Sequence, residues 1–373
     1  MLQAKESGCD KTLLNQQLRR YSADHVKITK ADTDQAKRMV DDYIKNEILS
    51  YICSHSPLPI SKQEYTGSLY ERLKTEAADE VDVMVILQTA KREVTQQDAG
   101  VPGFVLLKVA QDSPLQKYTN ADGYLLPEKL RASWFYGLVQ KAVNELKAKN
   151  SSLPVELEVR AHGPAVQLDI TNKSTAKKLS ADLVPSFQLS STDYFVAKSY
   201  NGKKSPACHP SLLWRQSFSL REKARLQEMD KEDHGCRHEL LRIVKTMIRA
   251  ETTFAKLTSY HLKTVFLQYN SNPRLLWGVD MLGERFVEYL EMLYKALSSK
   301  TLDHFWVSGV NLLDNIPDKT LENMADRLRK ILGSEKERSK VLKCQSKIPC
   351  TLISTGKYAS TETLVTSYID VIC

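Results

Sequence analysis

Hydrophobic periodicity changes character once along this chain, near residue 205, and that change restricts what the chain can fold into. Before it, strand-like segments fall at 81–88, 103–110, 154–161, 165–170 and 179–184, and residues 155–161 alternate apolar and polar as a half-solvated strand does. One helical stretch precedes them and one interrupts them. The first, 29–53, places Ala36, Met39, Val40, Tyr43, Ile44, Ile48, Tyr51 and Ile52 at spacings of three and four, and Pro57 and Pro59 end it. The second runs from about Pro127 to Lys149. After residue 205 the spacing is helical over 211–229, 235–252, 256–269, 282–298 and 319–332. The expected fold class is therefore α+β and bilobal: a mixed β-sheet core with a long N-terminal spine helix, then an all-helical lobe. The expected divisions are a loose polar lead-in over 1–28, the core over 29–205, the helical lobe over 206–335 and a tail over 336–373. A cleft between two lobes is the default place for a ligand.

Composition excludes several classes. With 373 residues, 42% apolar and 26% charged, the chain can bury a proper core and is neither disordered nor fibrous. The first seventeen residues lack the apolar core of a secretion signal, and no run is long enough for a membrane helix, so no membrane partner is expected. Seven scattered cysteines, without a CxxC pair, suit a reducing compartment: the cytoplasm, with the nucleus as an alternative. The net charge of +8 leans toward polyanionic partners, and residues 198–249 carry twelve Lys or Arg against six Asp or Glu.

Chemistry concentrates in 66–87, TGSLYERLKTEAADEVDVMVIL. On a strand, residues two apart share a face, so Glu80 and Asp82 project together while Val81 and Val83 face the other way. Adjacent carboxylates repel unless a cation lies between them, and a divalent ion with oxygen ligands answers that need. The bland alternative is a solvated strand end. Ser68 with Glu71 also fits a capping box. At such a turn Gly67 lets the backbone approach a phosphate closely, and Thr66 and Ser68 add hydroxyls.

This stretch resembles the cyclic GMP-AMP synthase branch of the Mab family of nucleotidyltransferase-fold proteins. The resemblance continues in order through GPAVQLDI (163–170), YFVAK (194–198), WRQSFS (214–219) and LTSYHLKT (257–264), covering about residues 28–332. It implies that Gly67 and Ser68, with Thr66, meet nucleotide phosphates and that Glu80 and Asp82 bind metal. It assigns the third metal ligand to Asp182 in LSADLV, with Asp169 in QLDI as the alternative. It further implies that Lys198 and Arg215 contact base or phosphate, that Lys245 reaches the triphosphate, that Ser259 touches phosphate and that Tyr260 stacks on a base. Read from spacing alone, Tyr260 is a core residue and Lys245 a snorkelling stem.

The resemblance implies two Mg²⁺ or Mn²⁺ ions and ATP and GTP as substrates. The metals would set one nucleotide's ribose hydroxyl against the α-phosphate of the other. Two rounds would close a cyclic dinucleotide such as cyclic GMP-AMP, read by a STING-type receptor in antiviral innate immunity. The vertebrate DNA sensor carries a zinc-binding insertion. Here DKEDHGCRHELL keeps His234, Cys236 and His238 without four ligands at zinc spacing, so no zinc is expected. The expected trigger is double-stranded nucleic acid, RNA in preference to DNA. Its basic surface would be drawn from Lys203, Lys204, Arg221, Lys223, Arg225, Arg327, Arg329 and Lys330. The competing readings are a non-catalytic Mab-family scaffold or binding protein, and a template-independent RNA polymerase.

Overall fold

The structure, a computed structural model, describes residues 8–197, 200, 206 and 208–343. They form two compact units. One comprises 28–238 and 303–315; the other comprises 8–27, 239–302 and 316–343.

The first unit is built on a nine-stranded sheet: β1 (Ile60–Thr66), β2 (Glu80–Leu87), β3 (Val94–Asp98), β4 (Phe104–Val109), β5 (Val155–His162), β6 (Ala165–Asn172), β7 (Lys178–Gln188), β8 (Tyr194–Val196) and β9 (Leu213–Ser217). The spatial order is β1-β2-β7-β8-β9-β4-β3, with β5 and β6 continuing from β7. Only β2 and β7 run parallel; every other pairing is antiparallel. The long β7 changes partner midway, pairing with β6 as far as Leu183 and with β8 from Ser186. Pro185, which has no N–H to give, sits in the gap between those ladders.

The spine helix is continuous over 30–55. Thr29 caps it, accepting the Asp32 amide at 3.1 Å. Ala36, Val40, Ile44, Ile48 and Ile52 line its buried face and pack with Phe135, Val139 and Val143 of the 127–149 helix. Strand β2 alternates strictly. Val81, Val83, Val85 and Leu87 enter this helix-covered core, while Met84 and Ile86 join a smaller cluster with Ala165, Val184 and Val196. Each such side chain stabilises the fold by roughly 1.5–3 kcal/mol when fully buried. Glu80 and Asp82 share the Met84 face, at the end of the strand that Met84 does not fill.

The second unit is all-helical. Helix Leu282–Ser299 buries Phe286, Tyr289, Leu290, Leu293 and Leu297, and helix Asp318–Gly333 buries Leu321, Met324, Leu328 and Ile331. Helices Cys236–Ala250, Ser259–Tyr269 and Glu335–Val341 complete it with the N-terminal helix.

Two expectations are overturned. Residues 8–21 are not a loose lead-in but a helix, Gly8–Tyr21, that buries Leu14, Leu18 and Tyr21. The Asn15 side chain accepts the Gly283 amide at 2.7 Å, and Arg19 donates to the Val279 carbonyl at 2.8 Å. The expected helix over 211–229 instead begins at Ser219, because Leu213–Ser217 is strand β9. Its ladders to β4 and β8 bury Trp214, whose Nε1 donates to the Leu125 carbonyl at 3.0 Å. The chain through 238 thus groups with the sheet, and 303–315 returns to it. The tail beyond 343 lies outside the described residues.

Candidate active site

Register brings the acids together. Asp82 on β2 stands directly opposite Asp182 on the parallel strand β7, and Thr66 on β1 stands opposite Asp82 on its other side. Glu80 lies two residues earlier on the same face. One carboxylate oxygen from each of Glu80, Asp82 and Asp182 can be chosen so that all three lie within 4.8 Å of one another. Asp82 and Asp182 are buried and Glu80 is half-buried.

Burial and mutual repulsion dominate the electrostatics. Burial, and then the Glu80 charge, pushes the Asp182 carboxyl up to about 7. Asp82 is pushed well above the ordinary carboxylate range by burial, then by the charges of Glu80, Asp182 and Glu71, with Lys74 opposing. The Lys74 Nζ lies 2.8 Å from Glu80 Oε2 and 2.9 Å from Asp79 Oδ1. Burial works against its charge, but these two acids outweigh it and raise its pKa.

The donor set fits a hard divalent cation. It is all oxygen and it converges. The buried Asp82 Oδ1 and Asp182 Oδ1 have no hydrogen-bond partner among the described residues. A buried, mutually repelling set with orphaned lone pairs is costly for a protein to keep unless a cation resolves it.

Gly67 closes over this corner. Its φ is +78°, and a Cβ built on it would sit 1.9 Å from Asp82 Oδ2, so glycine is required by backbone conformation and by space. The chain makes one helical turn, Gly67–Tyr70, and Thr66 occupies the capping position without a side-chain cap. The Ser68/Glu71 capping box is therefore not formed: Ser68 lies inside the turn and Glu71 just past it. The Ser68 carbonyl instead accepts the amides of Leu73 at 2.8 Å and Lys74 at 2.9 Å. The Thr66 hydroxyl is fully buried beside Asp82 and also lacks a partner among the described residues.

The alternative acid, Asp169, is engaged elsewhere. It stands opposite Ser180, whose hydroxyl donates to Asp169 Oδ1 at 2.7 Å, and it forms an ion pair with Arg160. Arg215, on β9, shares the sheet unit with the triad. Following the register through Val196, Ser186 and Ile86 puts it three strands across and four residues along from Asp82. That separation is on the order of 20 Å. Lys245, Ser259 and Tyr260 belong to the helical unit. Lys245 is buried, and the helix that carries it meets the next where Arg249 donates to the Ser259 hydroxyl at 3.0 Å. Lys198, Lys203 and Lys204 lie outside the described residues. Sequence reading missed Lys74. It lies six residues before Glu80 and outside strand β2, in an irregular segment where no periodicity applies, and the turn after Ser68 brings it back.

Comparison with known proteins places the chain in a family. Residues 69–228 match the Mab-21 protein nucleotidyltransferase domain, and residues 236–330 match the Mab-21 protein HhH/H2TH-like domain. The chain is 44% identical over 339 residues to cyclic GMP-AMP synthase-like receptor 3 of Stylophora pistillata, covering 89% of this chain and 99% of that protein. It is 27% identical over 306 residues to a cyclic GMP-AMP synthase-like receptor of Microplitis demolitor, covering 72% of this chain and 55% of that one. It is also similar to mitochondrial dynamics protein MID51 of Danio rerio, at 25% identity over 323 residues, 83% of this chain and 67% of the relative.

Proposed function

Because the chain belongs to the cyclic GMP-AMP synthase-like receptors, with a Mab-21 nucleotidyltransferase domain, we propose that it is a metal-dependent synthase making a cyclic dinucleotide from ATP and GTP. In this reading double-stranded nucleic acid, RNA in preference to DNA, switches it on. The observation that carries the proposal is the triad itself: two buried aspartates paired across parallel strands, Glu80 beside them, and oxygens left without partners.

Glu80, Asp82 and Asp182 would hold two ions, Mg²⁺ or Mn²⁺. Bound there, such ions supply Lewis-acid stabilisation of the phosphoryl oxygens and ease removal of the ribose hydroxyl proton. The chain's own contribution is positioning and charge. The Gly67–Ser68 turn, held against Asp82, would present its amides and the Thr66 and Ser68 hydroxyls to the phosphates. Lys245 and Ser259 would meet the phosphates, Tyr260 would stack on a base, and Arg215, with Lys198, would contact base or phosphate at the far end of a nucleotide. An Arg215 on the order of 20 Å from Asp82 suits a distal contact better than one at the reacting phosphate.

The ligand surface is narrower than the count of basic residues implies. Lys223 donates to the Tyr65 carbonyl, and Arg327 is held by Glu251 and Glu337. Lys203 and Lys204 lie outside the described residues. Arg329 is paired with Asp326 at 2.8 Å, Arg225 with Glu228 at 3.4 Å and Arg221 with Asp193 at 3.9 Å, all nearer the surface, and with Lys330 they are the described candidates. Binding through them should weaken steeply with salt. Among the described residues no helix is long and apolar enough to cross a membrane. The product would be read by a STING-type receptor, and the site of action would be the cytoplasm.

The similarity to a mitochondrial dynamics protein, whose name carries no synthase activity, is the ground for a second reading, a non-catalytic scaffold. One experiment separates them. Purified protein is incubated with labelled nucleoside triphosphates, Mg²⁺ or Mn²⁺, and duplex RNA, duplex DNA or neither. The synthase yields a phosphatase-resistant small product, strongest with RNA and lost in Glu80→Ala/Asp82→Ala. No product under any condition favours the scaffold, and lengthened RNA primers favour a polymerase.

A further inference from the structure

We propose that Lys74 is a built-in counter-cation of the acidic triad: its ammonium holds Glu80 while no metal ion is bound and must release it for a divalent ion to enter. The proposal rests on the metal-binding reading above and concerns a residue which that reading does not use.

Lys74 is a poor candidate for an ordinary surface ion pair. Its side chain is 12% exposed, and its Nζ is within 2.9 Å of acids from two neighbouring residues, Asp79 and Glu80. Withdrawing an ammonium this far from water is costly without partners. The loop that delivers it is held at several points. The Lys74 and Leu73 amides both bond the Ser68 carbonyl, and Arg72, at a left-handed φ of +59°, forms an ion pair with Asp230 at 2.5 Å. A side chain fixed through its own amide and through its tip is placed, not roaming.

Its position answers a specific problem. Three carboxylates whose oxygens approach within 4.8 Å repel one another, and the sheet register allows them no retreat. Lys74 offsets that repulsion at the Glu80 corner, while Asp82 Oδ1 and Asp182 Oδ1 have no hydrogen-bond partner among the described residues and can take a cation. A divalent ion on the same carboxylates would offset the charge far better. It would then face an ammonium within hydrogen-bond distance of one of its own ligands. The two cations compete for Glu80, and the tethered one has to yield.

The test is Mn²⁺ binding to the metal-stripped full chain, read by electron paramagnetic resonance without nucleotide, beside circular dichroism to verify folding. Lys74→Met and Lys74→Gln should each bind Mn²⁺ about tenfold tighter than the wild type, the order expected for one unit charge facing a divalent ion about 5 Å away in a water-like dielectric. Lys74→Arg, which keeps the charge, should bind like the wild type. Arg72→Ala, which removes one anchor of the loop but leaves the Lys74 ammonium and its amide bond to Ser68 in place, should gain less than either neutral variant. Unchanged or weaker binding in both neutral variants overturns the proposal, since weaker binding would mean that Lys74 orients Glu80 for the metal. An equal gain in Arg72→Ala overturns it too, because the effect would then belong to loop release. Wild-type binding that is absent, or that survives Asp182→Asn, overturns the metal-site reading and the proposal together. Wild-type binding lost in Asp182→Asn, with neutral Lys74 variants unchanged, overturns the proposal alone.

Discussion

Gly67→Ala is the smallest change that strikes the junction of the turn and the triad. One methyl group meets two obstacles. The left-handed φ of +78° costs a residue with a Cβ about 1–2 kcal/mol. The new Cβ would lie 1.9 Å from Asp82 Oδ2, so the Asp82 carboxylate must swing from its position. Holding that side chain away from its preferred rotamer adds about 0.5–1.5 kcal/mol. The sum is about 1.5–3.5 kcal/mol, which for a domain of this size lowers the melting temperature by about 3–14 °C. Thermal unfolding by circular dichroism measures it, with nucleotide turnover assayed well below the transition to separate damage at the site from lost stability. Turnover should fall further than the folded fraction, because the displaced group is a proposed metal ligand. The decisive comparison is the double variant Gly67→Ala/Asp82→Ala. Removing the carboxylate removes the clash but not the backbone penalty, so the two effects should fall short of additivity by about 1 kcal/mol. Strict additivity, or a Gly67→Ala protein that melts with the wild type, would refute the argument.

Other outcomes follow from the same structure. The Asp182 carboxyl is raised to about 7 from an unfolded value near 3.8, so between those pH values the folded state holds a proton that the unfolded chain has released. Metal-free stability should therefore fall as pH rises from about 4 to about 7, with the raised Asp82 carboxyl adding to the slope in the same direction; Asp182→Asn should reduce that slope in denaturant titrations, and an unchanged slope would assign it to Asp82 alone. Asp169→Asn should retain Mn²⁺ binding and turnover while losing some stability with its Arg160 and Ser180 partners; Asp182→Asn should abolish both functions, and the reverse pattern would exchange their roles. Leu18→Ala should cost about 2–5 kcal/mol in chemical denaturation, as for a fully buried leucine, whereas a loose lead-in would lose nothing.

Much of this fold was legible because its signals are local. The spine helix announces itself by apolar spacing from Ala36 to Ile52, with Thr29 at its start and the Pro57/Pro59 pair at its end. Strand β2 does so by the apolar run from Val83 to Leu87, and the two-residue spacing of Glu80 and Asp82 fixes the face on which they project. What was illegible depends on partners distant in sequence. Strand β9 sits among residues whose apolar spacing also suits a helix, and its ladders to β4 and β8 decide the matter. Strand β1, ISKQEYT, shows no alternating burial because almost all of it is half-exposed, so nothing in its pattern marks a strand. The N-terminal helix carries Leu14, Leu18 and Tyr21 at helical spacing within a polar stretch whose overall composition obscures them. At the site, the pairing of Asp82 with Asp182 across one hundred residues came from family resemblance, since neither spacing nor propensity links β2 to β7. Lys74 escaped because a turn and not a period places it.

The most direct test of the central claim is where the metal sits. Crystals of the protein grown with Mn²⁺ and a non-hydrolysable nucleoside triphosphate would be measured for anomalous scattering. Manganese peaks within coordination distance of Glu80, Asp82 and Asp182, with the triphosphate against the Gly67–Ser68 turn, are the predicted result. A nucleotide bound with no manganese at these carboxylates, or manganese held elsewhere in the chain, would contradict the account.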